Sequence, residues 1–380
     1  MKKISVVITA RASYSRIKTV LLALKTYNSI DLEIVLKSSA LIGDYGGILN
    51  YLKDDNLEID YKIYSLLDTE NITFQVKTTG LGMIELSNYF FNSKPDIVIT
   101  IADRFETIAT AISASYMNIP LIHIQGGEDT GNIDNKVRNA ISYLSDYHFV
   151  SNEQAGEKLF SMKIPQENIF NLGCPSIDLI DIALEKIITS EYLYASYSWS
   201  GDKIDIEKDF LVVMQHAVTN ENASKFQIQS TISAIEKIKM PTIWFWPNVD
   251  TGTDIISKGL RLYKKKNKEY PVSFFKSLNP QDFLNLISRS KVLIGNSSVG
   301  IRESSYIGLP VVNIGTRQMN RLRAKNVIDV AYDSDEIKAA IEKQLKSGHY
   351  EKSLIYGSGD SGEKIAEKIV NIVSHENFNC

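Results

Sequence analysis

The chain has 380 residues, 44% hydrophobic and 23% charged, with a net charge of −3. That length exceeds what one small core organises and predicts two domains. The near-neutral balance gives no electrostatic case for nucleic-acid binding, and no apolar run is long enough to span a bilayer.

The run Ile4–Thr9 reads as a first strand; its apolar stretch is too short for a secretory leader. A helical pattern follows near Ser15–Tyr27, then a strand at Leu32–Leu36 and a helix over Gln75–Asn92. Strand Ile97–Ile101, helix Arg104–Tyr116, strand Pro120–Ile124, helix Lys136–Leu144 and strand Tyr147–Ser151 complete the first set. Short, continuously apolar strands alternating with helices predict a parallel sheet covered on both faces. The polar, aromatic stretch over Glu185–Lys208 is expected to connect the domains. A second set of strands follows at Phe210–Met214, Thr242–Trp246, Val272–Phe275, Val292–Ile294 and Val311–Ile314. Glu363–Ser374 has apolar residues at helical spacing and reads as an amphipathic helix. The expected division is 1–185, 186–362 and a C-terminal helix and tail at 363–380. The fold class is α/β: two Rossmann-type, doubly wound parallel-sheet domains facing a central cleft. Such sheets bind ligands at the carboxyl ends of their strands.

Unusual polar residues fall at those ends. After the first strand, "TARASYSRIK" puts Arg11 and Arg16 at a strand end and a helix start, where they either seat an anion or merely close a loop. "ADRFET" places Asp103 at a turn, with Glu106 expected in the first helical turn; a plain N-cap is the competing reading. The next strand runs into "HIQGGEDTGNID", where three glycines stand among His123, Gln125, Glu128 and Asp134. Two acidic loops on one sheet edge exceed what capping needs. In the second set, His216 lies just beyond a strand, and Asp250 with Thr251 can cap a helix. Ser297 and Ser298 can hold phosphate oxygens or cap a helix opening at Gly300. Glu303, one turn in, can accept from ribose hydroxyls. Arg317 and Arg321 share a helix face if their stretch is helical. There is no phosphate-binding P-loop and no dinucleotide fingerprint. The cysteines, Cys174 and Cys380, are too far apart in sequence for a metal-ligand pattern, so no metal, no redox cofactor and a reduced, cytoplasmic setting are expected.

Together "TARASYSRIK", "ADRFE", "HIQGGEDTGNIDNKVRNAIS", "LGCPSID", "QHAVT", "NVDTGTD", "GNSSVGIRE" and "GTRQMNR" resemble the hydrolysing UDP-N-acetylglucosamine 2-epimerases of nonulosonic-acid biosynthesis, in family order from residue 9 to residue 321. The resemblance implies a GT-B-like fold, often dimeric or a dimer of dimers, acting on a nucleotide sugar. It also implies a reaction. The sugar loses its C2 proton while the diphosphate leaves C1, giving a 2-acetamidoglucal. Water then adds at C1 as C2 is reprotonated from the opposite face, releasing the 2-epimer and UDP. On this basis Asp103, Gln125, Glu128, Asp134 and His216 form the catalytic set, with Gln125 positioning. Arg11, Arg16, Arg104, His123, Arg138, Asn248, Asp250, Ser297, Ser298, Glu303, Arg317 and Arg321 bind substrate.

The chain also departs from the resembled pattern. Where many members carry glutamate at the third position of the His123 loop, this chain has Gln125, whose amide cannot serve as a base. Asn135, Asn139, Ala217 and Ser13 likewise replace an acid, a histidine, a proline and an acid. "TARAS" and "GTRQMNR" fit the hydrolysing type over the non-hydrolysing 2-epimerases. A GT-B glycosyltransferase and a nucleotide-sugar binder without turnover are the remaining alternatives. The sugar, and UDP against GDP, stay open.

Overall fold

The computed structural model describes residues 1–42, 48–67, 72–130, 134–218, 225–247, 253–266 and 269–375. Asn248 and Asp250 lie outside the described residues. The chain divides into two compact units. The first takes the described residues of Met1–Asp129, Ile133–Asp178 and Gly357–Cys380; the second takes those of Leu179–Tyr356.

In the first unit the strands are β1 (Lys2–Ile8), β2 (Ile30–Lys37), β3 (Tyr61–Ile63), β4 (Ile97–Ile101), β5 (Leu121–Ile124), β6 (Tyr147–Val150) and β7 (Ile169–Asn171). They pair in the order β3-β2-β1-β4-β5-β6-β7, every pair parallel. All residues of β4 and β5 are buried, as helices on both faces require. The chain winds outward from β1 in one direction and from β4 in the other. The β1/β4 boundary is therefore the topological switch point, where the two crossovers leave a crevice.

The second unit holds β8 (Trp199–Gly201), β9 (Leu211–Met214), β10 (Thr242–Phe245), β11 (Val272–Phe275), β12 (Val292–Gly295), β13 (Val311–Ile314) and β14 (Val327–Val330). Their order is β14-β13-β12-β9-β10-β11-β8, parallel except that β8 runs antiparallel to β11. Its switch point lies between β9 and β12.

The observed units depart from the expected segments in two ways. The 185–208 stretch is an integral part of the second unit. Its aromatic residues form helix Ser190–Ser196 and β8, with Leu193, Ile204 and Ile206 buried. Its tyrosines reach inward: Tyr192 and Tyr197 donate to the buried Asp282 at 2.9 and 2.5 Å. Nor does the C-terminal helix stand apart. The helix Ser361–His375 packs Ile365, Ala366, Ile369, Ile372 and Val373 into the same core as β1, β2 and β4. Asp178 ties its start: its carboxylate accepts from the amides of Ser361 (3.0 Å) and Gly362 (2.6 Å), satisfying donors that a helix start leaves open.

Candidate active site

Both switch points gather polar side chains. In the first unit β1 ends into Arg11, the first residue of a short helix, and β4 ends into Asp103. Burial lowers the Arg11 guanidinium from its ordinary value, and among the described residues no carboxylate pairs with it. Arg16 follows the last residue of that helix and directly precedes Ile17, the N-cap of the next helix, Lys18–Leu24.

Asp103 precedes a turn, and the helix that was expected from Arg104 begins at Ile108. Glu106 therefore lies in the turn, fully buried, and pairs with Arg104 Nε at 3.0 Å. Asp103 forms an ion pair with Arg138, whose side chain is buried on helix Asp134–Tyr143. The same guanidinium donates to the carbonyl of Glu128 and to Asn135 Oδ1 at 3.3 Å. Glu128 in turn accepts from Ser151 Oγ at 2.8 Å. Asn152 donates to that serine at 3.3 Å and caps helix Glu153–Ser161 through the Ala155 amide at 2.9 Å. Three strand ends (β4, β5 and β6) thus join in one network through Arg138. Asp134, half-buried, opens that arginine's helix.

Two features of the His123 loop differ from the sequence reading. His123 is fully buried on β5 and is no substrate ligand. Its Nε2 lies 2.9 Å from the Ala102 carbonyl, which can only accept, so Nε2 carries the proton and Nδ1 accepts from Ser142 Oγ at 3.1 Å. Burial lowers its pKa to about 4, against the opposing pull of the Ala102 carbonyl. The glycines serve packing as well. A Cβ at Gly127 would stand 2.2 Å from the Ala155 carbonyl, and one at Gly126 would stand 2.7 Å from His123 Nδ1. Gln125 is buried too. Its amide donates to Cys174 Sγ at 2.9 Å, and Cys174 shares a hydrogen bond with Ser176 at 2.9 Å.

In the second unit the β9 end carries His216 and the β12 end carries Asn296, Ser297 and Ser298. Asn296 holds the His216 backbone from both sides, accepting from its N–H at 2.7 Å and donating to its carbonyl at 2.9 Å. The helix expected from Gly300 starts at Glu303; Ser298–Gly300 form a single 3-10 turn. Ser297 makes no side-chain cap bond, and Ser298 Oγ accepts from Arg302 at 3.1 Å. Glu303 is buried, and its Oε2 has no hydrogen-bond partner among the described residues. Arg317 and Arg321 stand on turns, not on one helix. Arg317 donates to the Asn296 carbonyl at 3.1 Å, and Arg321 donates to Gln318 at 2.6 Å. Gln318 also reaches Asn296 O, at 2.8 Å. Asn296, Gln318 and Ser151 are not among the expected site residues, and Cys174 is weighed in the sequence only as a metal ligand, although "GNSSVGIRE", "GTRQMNR" and "LGCPSID" contain three of the four. Among the described residues no group of three potential metal ligands converges.

Two Rossmann-type units, each with polar side chains gathered at its switch point, define a GT-B-like α/β protein. The chain belongs to the UDP-N-acetylglucosamine 2-epimerase family, whose sequence profile matches residues 22–370. It is 33% identical to a UDP-N,N'-diacetylbacillosamine 2-epimerase (hydrolyzing) of Legionella pneumophila, over 99% of this chain and 97% of that one. It is 29% identical to a UDP-N-acetylglucosamine 2-epimerase of Neisseria meningitidis serogroup B, over 98% and 96%. A crystal structure of the Neisseria meningitidis UDP-GlcNAc 2-epimerase bound to UDP-GlcNAc matches with a TM-score of 0.79 and 21% identity, covering 98% of this chain and 100% of that chain. At that identity the likeness shows the fold.

Proposed function

We propose that the protein is a hydrolysing 2-epimerase, converting a UDP-linked 2-acetamido sugar into the free manno-configured sugar and UDP. The observation that carries this reading is the Asp103–Arg138–Glu128 network at the first unit's switch point. Elimination needs a base for a weakly acidic C2–H, and an arginine beside a carboxylate favours its ionised form. In the first step Asp103 takes the C2 proton, the C–H electron pair becomes the C1=C2 bond, and the C1–O bond electrons leave with the diphosphate. In the second step water adds at C1 and a proton returns to C2 on the other face. Glu128, Asp134 and His216 are the groups available for that proton. Arg11, Arg16, Arg104, Arg317 and Arg321 supply positive charge for the leaving diphosphate, with Ser297 and Ser298 as hydroxyl donors. Glu303, with a buried carboxylate oxygen that has no hydrogen-bond partner among the described residues, suits ribose hydroxyls. The hydrolysing type and a 2,4-diacetamido sugar are supported by the name of the Legionella relative. The reading includes a cytoplasmic homodimer that needs no cofactor.

The second reading is a non-hydrolysing epimerase returning a UDP-linked product; the serogroup B Neisseria relative is named a UDP-N-acetylglucosamine 2-epimerase without the hydrolyzing designation. One experiment separates them: incubation with UDP-N-acetylglucosamine, and separately with UDP-N,N'-diacetylbacillosamine, in deuterated water, followed by NMR. Free sugar deuterated at C2 together with UDP supports hydrolysis, whereas a UDP-linked 2-epimer supports the second reading. Asp103→Asn is expected to lower kcat by about a thousandfold, within the range of acid–base contributions, and to leave UDP binding intact. Wild-type turnover in that variant would remove Asp103 from the mechanism.

A further inference from the structure

Lys37 is the last residue of β2 and is wholly buried, a placement unfavourable for an ammonium unless it is paired. Its Nζ donates to the carbonyl of Glu106 at 3.0 Å, from below the turn that follows Asp103. The Glu106 carboxylate is buried beside it and accepts from Ser39 Oγ at 3.1 Å and Arg104 Nε at 3.0 Å. Its Oε2 has no hydrogen-bond partner among the described residues. The helix Ile72–Ser93 makes room for the lysine: a Cβ on Gly82 would stand 2.4 Å from Lys37 Cε and 2.6 Å from Nζ. Glycine inside a helix is unfavourable relative to alanine, so the slot is a local cost that accommodates this side chain. The rest of the turn is tied in the same way. Thr79 donates to the Phe105 carbonyl at 3.3 Å, and Thr107 shares a hydrogen bond with Thr9 at 3.1 Å. Asp103 sits between this anchored turn and Ala102, whose φ is +61°.

We propose that Lys37 is a positioning residue for the elimination, holding the turn from beneath so that Asp103 meets Arg138 and the C2 proton in one orientation. This rests on the epimerase reading. Being fully buried, Lys37 acts through Glu106 and does not touch substrate. Burial lowers its pKa to about 8, against the upward pull of Glu106. The charged group on the turn that acts on it is Glu106, itself paired with Arg104, while Gly82 and Ala109 of the neighbouring helices bring no charge. Above about pH 8 the ammonium becomes an amine and its attraction to the Glu106 carboxylate is lost, so kcat acquires an alkaline limb there. The folded value lies below the unfolded 10.5, so the unfolded chain holds the proton longer. The stability contribution of this group therefore rises through that window, and a falling kcat is not unfolding.

The test uses the full chain and its Lys37→Met, Lys37→Arg and Glu106→Gln variants. It measures kcat and KM for UDP release from pH 6.5 to 9.5, UDP affinity by calorimetry, and fold by circular dichroism. Lys37→Met is expected to lower kcat at pH 7 by about tenfold or more, as a displaced catalytic group does, with UDP affinity unchanged and no limb near pH 8. Lys37→Arg is expected to restore part of kcat and move the limb to higher pH. Glu106→Gln is expected to move it to lower pH, which keeps the idea testable if Lys37→Met does not fold. A folded Lys37→Met with wild-type kcat and pH profile, or a limb unmoved in Glu106→Gln, would overturn the proposal. A wild-type chain that releases UDP from no UDP-sugar instead sinks the epimerase reading, and this inference with it.

Discussion

Gln125 adopts a backbone conformation that side chains seldom take, with φ of +64° at the end of β5. Its N–H donates to the Phe149 carbonyl at 2.8 Å, and its side-chain amide donates to Cys174 Sγ. The residue is 2% exposed. A glutamate here would place an acceptor-only carboxylate where a donor now meets the sulfur, with little water to solvate it. Gln125→Glu should therefore destabilise the protein by about 1–3 kcal/mol, the usual cost of an unsatisfied buried polar group, without raising turnover. Urea unfolding at pH 7 and UDP release measure the two effects. A variant of wild-type stability and higher kcat would instead make position 125 a proton-transfer position. The partner residues explain why so little of this was readable in advance. Gln125 and Cys174 are 49 residues apart, Lys37 and Glu106 are 69, and His216 and Asn296 are 80. Polar residues that interrupt an apolar run are visible along a chain; what they meet across the sheet edge is not.

Among the elements, the strands not anticipated were β3, β7, β8 and β14, and these are the four outer strands of the two sheets. A central parallel strand is apolar on both faces and shows as a continuous run, whereas an edge strand is short and partly wet. "YKI", "IFN" and "WSG" are three residues each, and every residue of "VIDV" keeps some exposure. One buried carboxylate ties down the segment that leads into β8. Asp282, on helix Pro280–Arg289, receives Lys186 Nζ at 2.5 Å, Tyr192 and Tyr197 hydroxyls, and Asn279 Nδ2 at 3.0 Å. Burial raises its pKa, but Lys186 and the two tyrosines outweigh that and hold the group below the ordinary 3.8. A depressed carboxylate contributes stability that is present above its unfolded value and lost as pH falls through the folded one. Asp282→Asn should cost about 2 kcal/mol at pH 7, less than a fully buried pair because Lys186 is 38% exposed and screened. The difference from wild type should shrink below about pH 4. Equal stability at pH 7, measured by thermal or urea unfolding, would mean that the tyrosines and lysine find other partners.

For the molecule as a whole, the acid side of its stability should be set in part by two histidines that never meet water. His123 and His148 stand opposite each other on β5 and β6, 0% and 1% exposed. Burial lowers His123 to about 4; burial, and then the nearby His123, lowers His148 to about 3. The unfolded chain takes up these protons near 6.5, so it binds more protons than the folded chain over the interval below. Stability of the first unit must then fall as pH drops from 6.5 towards 4, by about 1.4 kcal/mol per pH unit for each histidine. Between pH 6 and 5 most ordinary carboxylates are still ionised, so the slope there reports chiefly on imidazoles. Urea unfolding across that interval should give a slope approaching about two protons, and His148→Leu should reduce it by about one. Leucine is uncharged and suits a buried strand position, so the variant should keep the sheet while gaining acid tolerance. An unchanged slope would mean that β5 and β6 admit water to the imidazoles. The burial that disqualifies His123 as a substrate ligand would then fail as well, and its role in the site would reopen.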